Sequence, residues 1–144
     1  MAGRRVTPGG TLVLDSEGLS KLAAGDRLAW AYLETARIRR ARLVVSVITL
    51  TEVLRGGSRD APVHRVLSRI TVLPVTAEIA RQAGELLGQT GLSGHRCAID
   101  AVVAATASDL EHPVVFLTSD PDDLAALAEA PERPKAQRIL LVHV

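Results

Sequence analysis

A chain of 144 residues with 47% hydrophobic side chains has enough apolar surface for one well-covered core, and its length is one domain's worth. Aromatics make up 2%, so the core falls to Leu, Val, Ile and Ala, and a binder that stacks bases on many rings is excluded. A formal charge of +1 excludes a globally basic field, and the single cysteine, Cys97, excludes an internal disulfide.

Residues 1–10 lack the apolar stretch of a signal peptide and read as a flexible lead-in to one domain over residues 11–144. Thr11–Asp15 is a short apolar run ending in an acid, the look of a buried strand with Asp at its carboxyl end. A helix follows to about Ala24, where Gly25 breaks it; Asp26 caps a second helix through Trp30 and Tyr32 to about Arg40. Arg42–Ser46 is the next strand. Thr49–Arg55 opens a helix that Gly56, Gly57 and Ser58 stop. A helix near Val63–Ser68 leads to a strand at Ile70–Leu73. Pro74–Thr76 then opens a long helix with Ile79, Ala83, Leu86 and Leu87 on one face. After a loop at Gly91–Gly94 comes an apolar helix from Arg96 to about Asp109, then a strand at Pro113–Leu117. A helix over Pro121–Glu129, a polar loop over Ala130–Lys135 and a strand at Arg138–Val142 complete the chain. Strands that alternate with helices and run continuously apolar predict an α/β sandwich around a mostly parallel sheet. No apolar run is long enough to span a bilayer, so a cytoplasmic protein without a membrane role is the expectation.

In open α/β sheets, sites form beyond the carboxyl ends of the strands. Asp15 ends the first strand, Glu52 follows the second, and Asp120 follows the strand Val114–Leu117 by a short turn. Asp100 is on a helix whose same face carries Val103, Ala104 and Ala107, so its carboxylate is partly buried and needs compensation. Each acid also has a structural reading. Asp15 can cap its helix. Thr49-Leu-Thr-Glu52 fits a capping box. Asp100 fits the first turn, at the positive end of the helix dipole. Asp120-Pro-Asp-Asp123 fits a helix start with Pro at the first position. As a set, the four acids can deliver oxygen ligands to one hard divalent ion, Mg²⁺ or Mn²⁺, which relieves their mutual repulsion and can activate a water.

Leu12–Asp15, Thr49–Val53, Asp100–Ala107 and Leu117–Asp123, in this order, resemble the PIN domain, and in particular its VapC-type toxins. The resemblance implies a three-layer α/β/α sandwich with a central parallel sheet and an acidic pocket for Mg²⁺ or Mn²⁺. It carries the family's acids onto Asp15, Glu52, Asp100 and Asp120, with Asp123 as an additional ligand. It puts a supporting hydroxyl on Thr118 and a similar part on Ser16. It further implies an endoribonuclease acting on RNA such as tRNA or rRNA, a cognate antitoxin, and a homodimer.

His95 reads as a loop residue or a phosphate contact; Cys97 reads as a small buried apolar residue. Arg55 lies shortly after Glu52 and can face the pocket mouth. The run Arg37–Arg42 is a phosphate-binding patch or a solvated helix end. Two other classes stay open. One is a catalytically silent PIN-fold module that binds RNA or protein. The other is a phosphatase or receiver-like domain, which Lys135 in a polar loop and the lack of a Walker-type glycine loop disfavour.

Overall fold

The computed structural model describes residues 9–119, 121–129, 134 and 138–144. Residues 1–8 of the lead-in, Asp120 and most of the polar loop before the last strand lie outside these described residues. The elements run β1 (Thr11–Leu14), α1 (Ser16–Ala23), α2 (Arg27–Ile38) and β2 (Arg42–Ser46). A 3₁₀ turn at Val47–Thr49 leads into α3 (Leu50–Val53), and another at Ser58–Asp60 into α4 (Ala61–Leu67). Then follow β3 (Thr71–Leu73), α5 (Ala77–Thr90), α6 (Gly94–Ser108), β4 (Val114–Thr118), α7 (Pro121–Glu129) and β5 (Ile139–His143).

The strands form one sheet in the order β3-β2-β1-β4-β5, and every pairing is parallel. Successive side chains on a strand point to opposite faces, so each strand feeds two layers. On one face Val13, Val44 and Phe116 pack with Ala83 and Leu86 of α5, Ala101 and Ala104 of α6, and Leu127 of α7. On the other, Leu12, Leu14, Val45 and Leu117 pack with Leu19 and Leu22 of α1, Leu33 of α2 and Val66 of α4. The architecture is a three-layer α/β/α sandwich, and the sheet is parallel throughout. β1 sits at its centre. The chain builds outward through β2 and β3 on one side, then crosses over to build β4 and β5 on the other. The crevice at the carboxyl ends of β1 and β4 is therefore the topological switch point.

Side-chain caps fix most helix starts. The Asp15 Oδ1 accepts from the Gly18 amide at 2.7 Å, Asp26 Oδ1 from Ala29 at 2.9 Å and Thr76 Oγ1 from Ile79 at 3.1 Å. Gly91, at φ +68°, closes α5 in the left-handed conformation.

Four expectations change. The capping box at Thr49 does not form: Thr49 is already helical and buried, and its hydroxyl makes no cap bond. Ser46 does the local capping instead, accepting from the Ile48 amide at 3.4 Å. The helix expected to reach Arg55 ends at Val53, because Leu54 is extended and the Arg55 and Gly56 amides turn to the buried Asp60 carboxylate. Ser93 caps α6 and starts it at Gly94, so His95 is helical and Asp100 lies beyond the first turn, where the dipole has faded. The basic run divides: α2 stops at Ile38, and Arg42 belongs to β2.

Candidate active site

β1 ends at Leu14 and α1 begins at Ser16, so Asp15 occupies the strand-to-helix corner at the switch point. Its residue exposure is 8%. Burial pushes its carboxyl above the usual aspartate range; the Thr118 hydroxyl and the Gly18 amide, both donating to the charged form, oppose that rise. Thr118 is fully buried at the end of β4, the strand next to β1. A glycine is required at position 18: a Cβ there would sit 2.3 Å from the Leu117 carbonyl oxygen, so α1 docks on β4 only without a side chain. Ser16 is half-buried as the first residue of α1.

A second set of acids meets where α6 approaches α7. Asp100 is half-buried, and Val103, Ala104 and Ala107 on its face are buried, as the helical spacing requires. One turn earlier, Cys97 is 4% exposed, and its Sγ lies 3.8 Å from Asp123 Oδ2. Burial, then the charges of Asp123 and Asp100, hold the Cys97 thiol above its ordinary range. Asp123 itself is half-buried in the first turn of α7. Asp120, in the short connection from β4 to α7, lies outside the described residues.

Glu52 is exposed on the one-turn helix α3, just past the end of β2. Arg55 is exposed as well, but its guanidinium donates to the carbonyls of Thr51, Glu52 and Leu54 at 3.0, 2.9 and 2.9 Å, which satisfies the end of α3. His95 is exposed in the first turn of α6.

The structure thus brings Asp15 together with Thr118, and Asp100 together with Asp123 around Cys97. Among the described residues, no three acid, imidazole or thiol groups lie close enough to share one ion. The available donors are carboxylate and hydroxyl oxygens, the set that hard divalent cations prefer. Two buried hydroxyls add to this, one read from the sequence only as a helix cap (Thr49) and one given no role (Ser119). Thr49 Oγ1, after β2, and Ser119 Oγ, after β4, have no hydrogen-bond partner among the described residues. Buried polar atoms are normally paired, so such orphans at the ends of site-forming strands fit a site that takes up water or a cation. Their signal in the sequence as site hydroxyls was position alone, just past apolar strands. Cys97 was legible as a buried residue but not as the neighbour of Asp123.

The chain is similar to several known proteins. Over 100 residues the chain is 34% identical to Ribonuclease VapC10 of Mycobacterium tuberculosis, in strain CDC 1551 / Oshkosh and equally in strain H37Rv; the match spans 67% of this chain and 74% of that protein. Among solved structures, a toxin–antitoxin complex from Klebsiella pneumoniae is 25% identical, with a TM-score of 0.62 over 80% of this chain and 91% of that one. VapBC2 from Rickettsia felis, bound to a DNA fragment from its promoter, has a TM-score of 0.67 at 16% identity, covering 93% and 98% of the two chains. DNA-bound VapBC from Salmonella typhimurium has a TM-score of 0.60 at 19% identity, covering 91% and 97%. The PIN domain model matches residues 12–130, from β1 to the end of α7, and the chain belongs to the PIN domain family.

Proposed function

We propose that this protein is a metal-dependent endoribonuclease and the toxin of a toxin–antitoxin pair. One observation carries the reading: a buried carboxylate, Asp15, stands at the switch point of a parallel sheet, against the buried hydroxyl of Thr118. The similarity to Ribonuclease VapC10 supports RNA as the substrate class, with tRNA or rRNA as the first to test, and the likeness to toxin–antitoxin complexes supports a cognate antitoxin. The active unit is proposed to be a cytoplasmic homodimer; among the described residues no helix is long and apolar enough to cross a membrane.

Asp15, Glu52, Asp100 and Asp120 are the residues that would hold Mg²⁺ or Mn²⁺, with Asp123 as a further ligand. When bound, the ion supplies a water of lowered pKa and stabilises charge building on the phosphodiester. The remaining roles belong to the chain. Thr118 fixes the Asp15 carboxylate, and Ser16 stands next to it in sequence. The apolar face of α6 (Val103, Ala104, Ala107) keeps water from beneath Asp100. His95, on the exposed first turn of α6, is a contact for substrate phosphate. Arg55, whose guanidinium already serves α3, is a weaker one.

The test is cleavage of total tRNA and rRNA by purified protein in Mg²⁺, Mn²⁺ or EDTA, beside Asp100→Asn. Cutting that needs metal and disappears in the variant is expected. Equal cutting by wild type and variant would assign the activity to a contaminant. A folded wild type that binds RNA and cuts none of it would make the protein a silent PIN-fold module.

A further inference from the structure

The buried threonines among the described residues are Thr11, Thr49, Thr106 and Thr118. Three of them have partners. Thr11 Oγ1 donates to the Glu111 carbonyl at 2.8 Å, Thr106 Oγ1 to the Val102 carbonyl at 2.7 Å, and Thr118 to the Asp15 carboxylate. Thr49 is 0% exposed, and its hydroxyl has no partner. The local backbone explains why. A helical threonine can settle its hydroxyl on a carbonyl one turn back, as Thr35 does on Ala31, Thr51 on Ile48 and Thr90 on Leu86. Thr49 follows β2 by a 3₁₀ turn, so the residues three and four back, Ser46 and Val45, are still in the strand and offer no helical carbonyl. The hydroxyl thus carries a desolvation cost that valine, of nearly the same shape, would not.

The strand order β2-β1-β4 sets Thr49 on one side of Asp15 and Thr118 on the other, at the carboxyl edge of the sheet. Thr118 serves the Asp15 carboxylate from the β4 side. On the β2 side the Ser46 hydroxyl is taken by the Ile48 amide at 3.4 Å, which leaves Thr49 as the open one. The turn that carries Thr49 packs on α6, the helix of Asp100, and Glu52 follows one helical turn later. Segments bearing three of the proposed ligands therefore meet around this one hydroxyl.

We propose that Thr49 is a positioning residue of the metal site, its hydroxyl accepting a hydrogen bond from a water bound to the cation. The inference rests on the metal-dependent reading above. A small hard cation keeps several of its waters, and each of these is a donor that needs an acceptor. A hydroxyl has two lone pairs to offer and can still donate its own proton to a carboxylate. It also adds an acceptor without adding charge to a pocket already rich in acids.

The probe is Mn²⁺ alone, titrated into metal-free protein and followed by electron paramagnetic resonance, which reads the free ion without any cleavage. Thr49→Val removes the hydroxyl and keeps the shape; Thr49→Ser keeps the hydroxyl. In EDTA, Thr49→Val should melt at or above wild type, since it removes an unpaired buried group. Its Mn²⁺ affinity should nevertheless fall about 10- to 100-fold, the loss usual for the outer partners of a metal site, while Thr49→Ser keeps most of it. If Thr49→Val binds Mn²⁺ as tightly as wild type, and wild type cuts RNA only with metal, the role of Thr49 is overturned and the nuclease reading stands. If Thr49→Val loses affinity and Thr49→Ser keeps it, but wild type cuts no RNA, the role of Thr49 stands and the nuclease reading falls. A Thr49→Val protein that melts well below wild type in EDTA would show that the hydroxyl serves the fold itself, and would overturn the role. A wild type that binds no Mn²⁺ would overturn both.

Discussion

Cys97 Sγ and Asp123 Oδ2 lie 3.8 Å apart, and this contact ties the start of α6 to the start of α7. A thiol donor there keeps Asp123 turned toward the helix that carries Asp100. The thiol's raised pKa, caused first by burial and then by two nearby carboxylates, makes it a poor nucleophile. Iodoacetamide at pH 8 should label Cys97 slowly in the folded protein and rapidly in denaturant; a mass shift within minutes under native conditions would contradict the burial. Cys97→Leu should cost about 1–3 kcal/mol by overpacking and weaken Mn²⁺ binding, while Cys97→Ser keeps the donor and most of the affinity.

Asp15 gives a pH dependence whose sign can be worked out. Its folded pKa is raised above the ordinary value of 3.8, so the folded state holds its proton more tightly than the unfolded chain. Without metal, this group makes its most favourable contribution to stability in acid. That contribution falls as pH rises from near 3.8 through the raised value. Asp15→Asn in EDTA should therefore melt higher than wild type at pH 7, and the difference should shrink toward pH 4. Divalent metal at a hundredfold its Kd should stabilise wild type by about 2.7 kcal/mol and leave Asp15→Asn unmoved. Thermal melts at several pH values, with and without metal, check both statements.

Gly18→Ala should destabilise the fold by about 1–3 kcal/mol and lower cleavage. The added methyl would fall 2.3 Å from Leu117 O and 3.4 Å from Asp15 Oδ1, so α1 must move off β4 and take the carboxylate with it. Unfolding in urea gives the stability, and a loss of cleavage larger than the loss of folded protein gives the displacement.

Asp60 is 6% exposed and accepts from the amides of Arg55 at 3.0 Å and Gly56 at 2.7 Å. Asp60→Ala leaves both donors without a partner, at a cost of about 1–3 kcal/mol each. The loop after α3 should loosen, and with it the one-turn helix carrying Glu52. Faster amide exchange confined to residues 50–58 and reduced cleavage are the expected results; unchanged exchange would mean that Asp60 does not hold the loop.

Much of this was legible in the chain. Continuous apolar strands such as Leu12–Leu14 can only be buried on both faces, so the sandwich and its parallel sheet followed from the pattern. Asp15 was legible as the acid that ends β1 and caps α1, and the structure shows both. The two-fold capping logic that works for Asp26 and Thr76 misled at Thr49, where a 3₁₀ turn begins the helix earlier and hides the hydroxyl. Ser93 shifted the start of α6 by two residues from the reading at Arg96, enough to turn His95 from loop to helix. The contact of Cys97 with Asp123 joins residues 26 positions apart, and no local pattern encodes it.

The central position of β1 separates the acids by how firmly they are held. β1 is hydrogen-bonded on both edges, and all its residues are buried, so the backbone around Asp15 opens only when the whole sheet does. Glu52 rides on a four-residue helix with no fully buried side chain, held to the core only by partly buried Leu50 and Val53, so it opens more readily. One acid thus belongs to the slowest-exchanging part of the molecule and another to a fast one. Hydrogen exchange should show two timescales, slow around Asp15 and fast around Glu52.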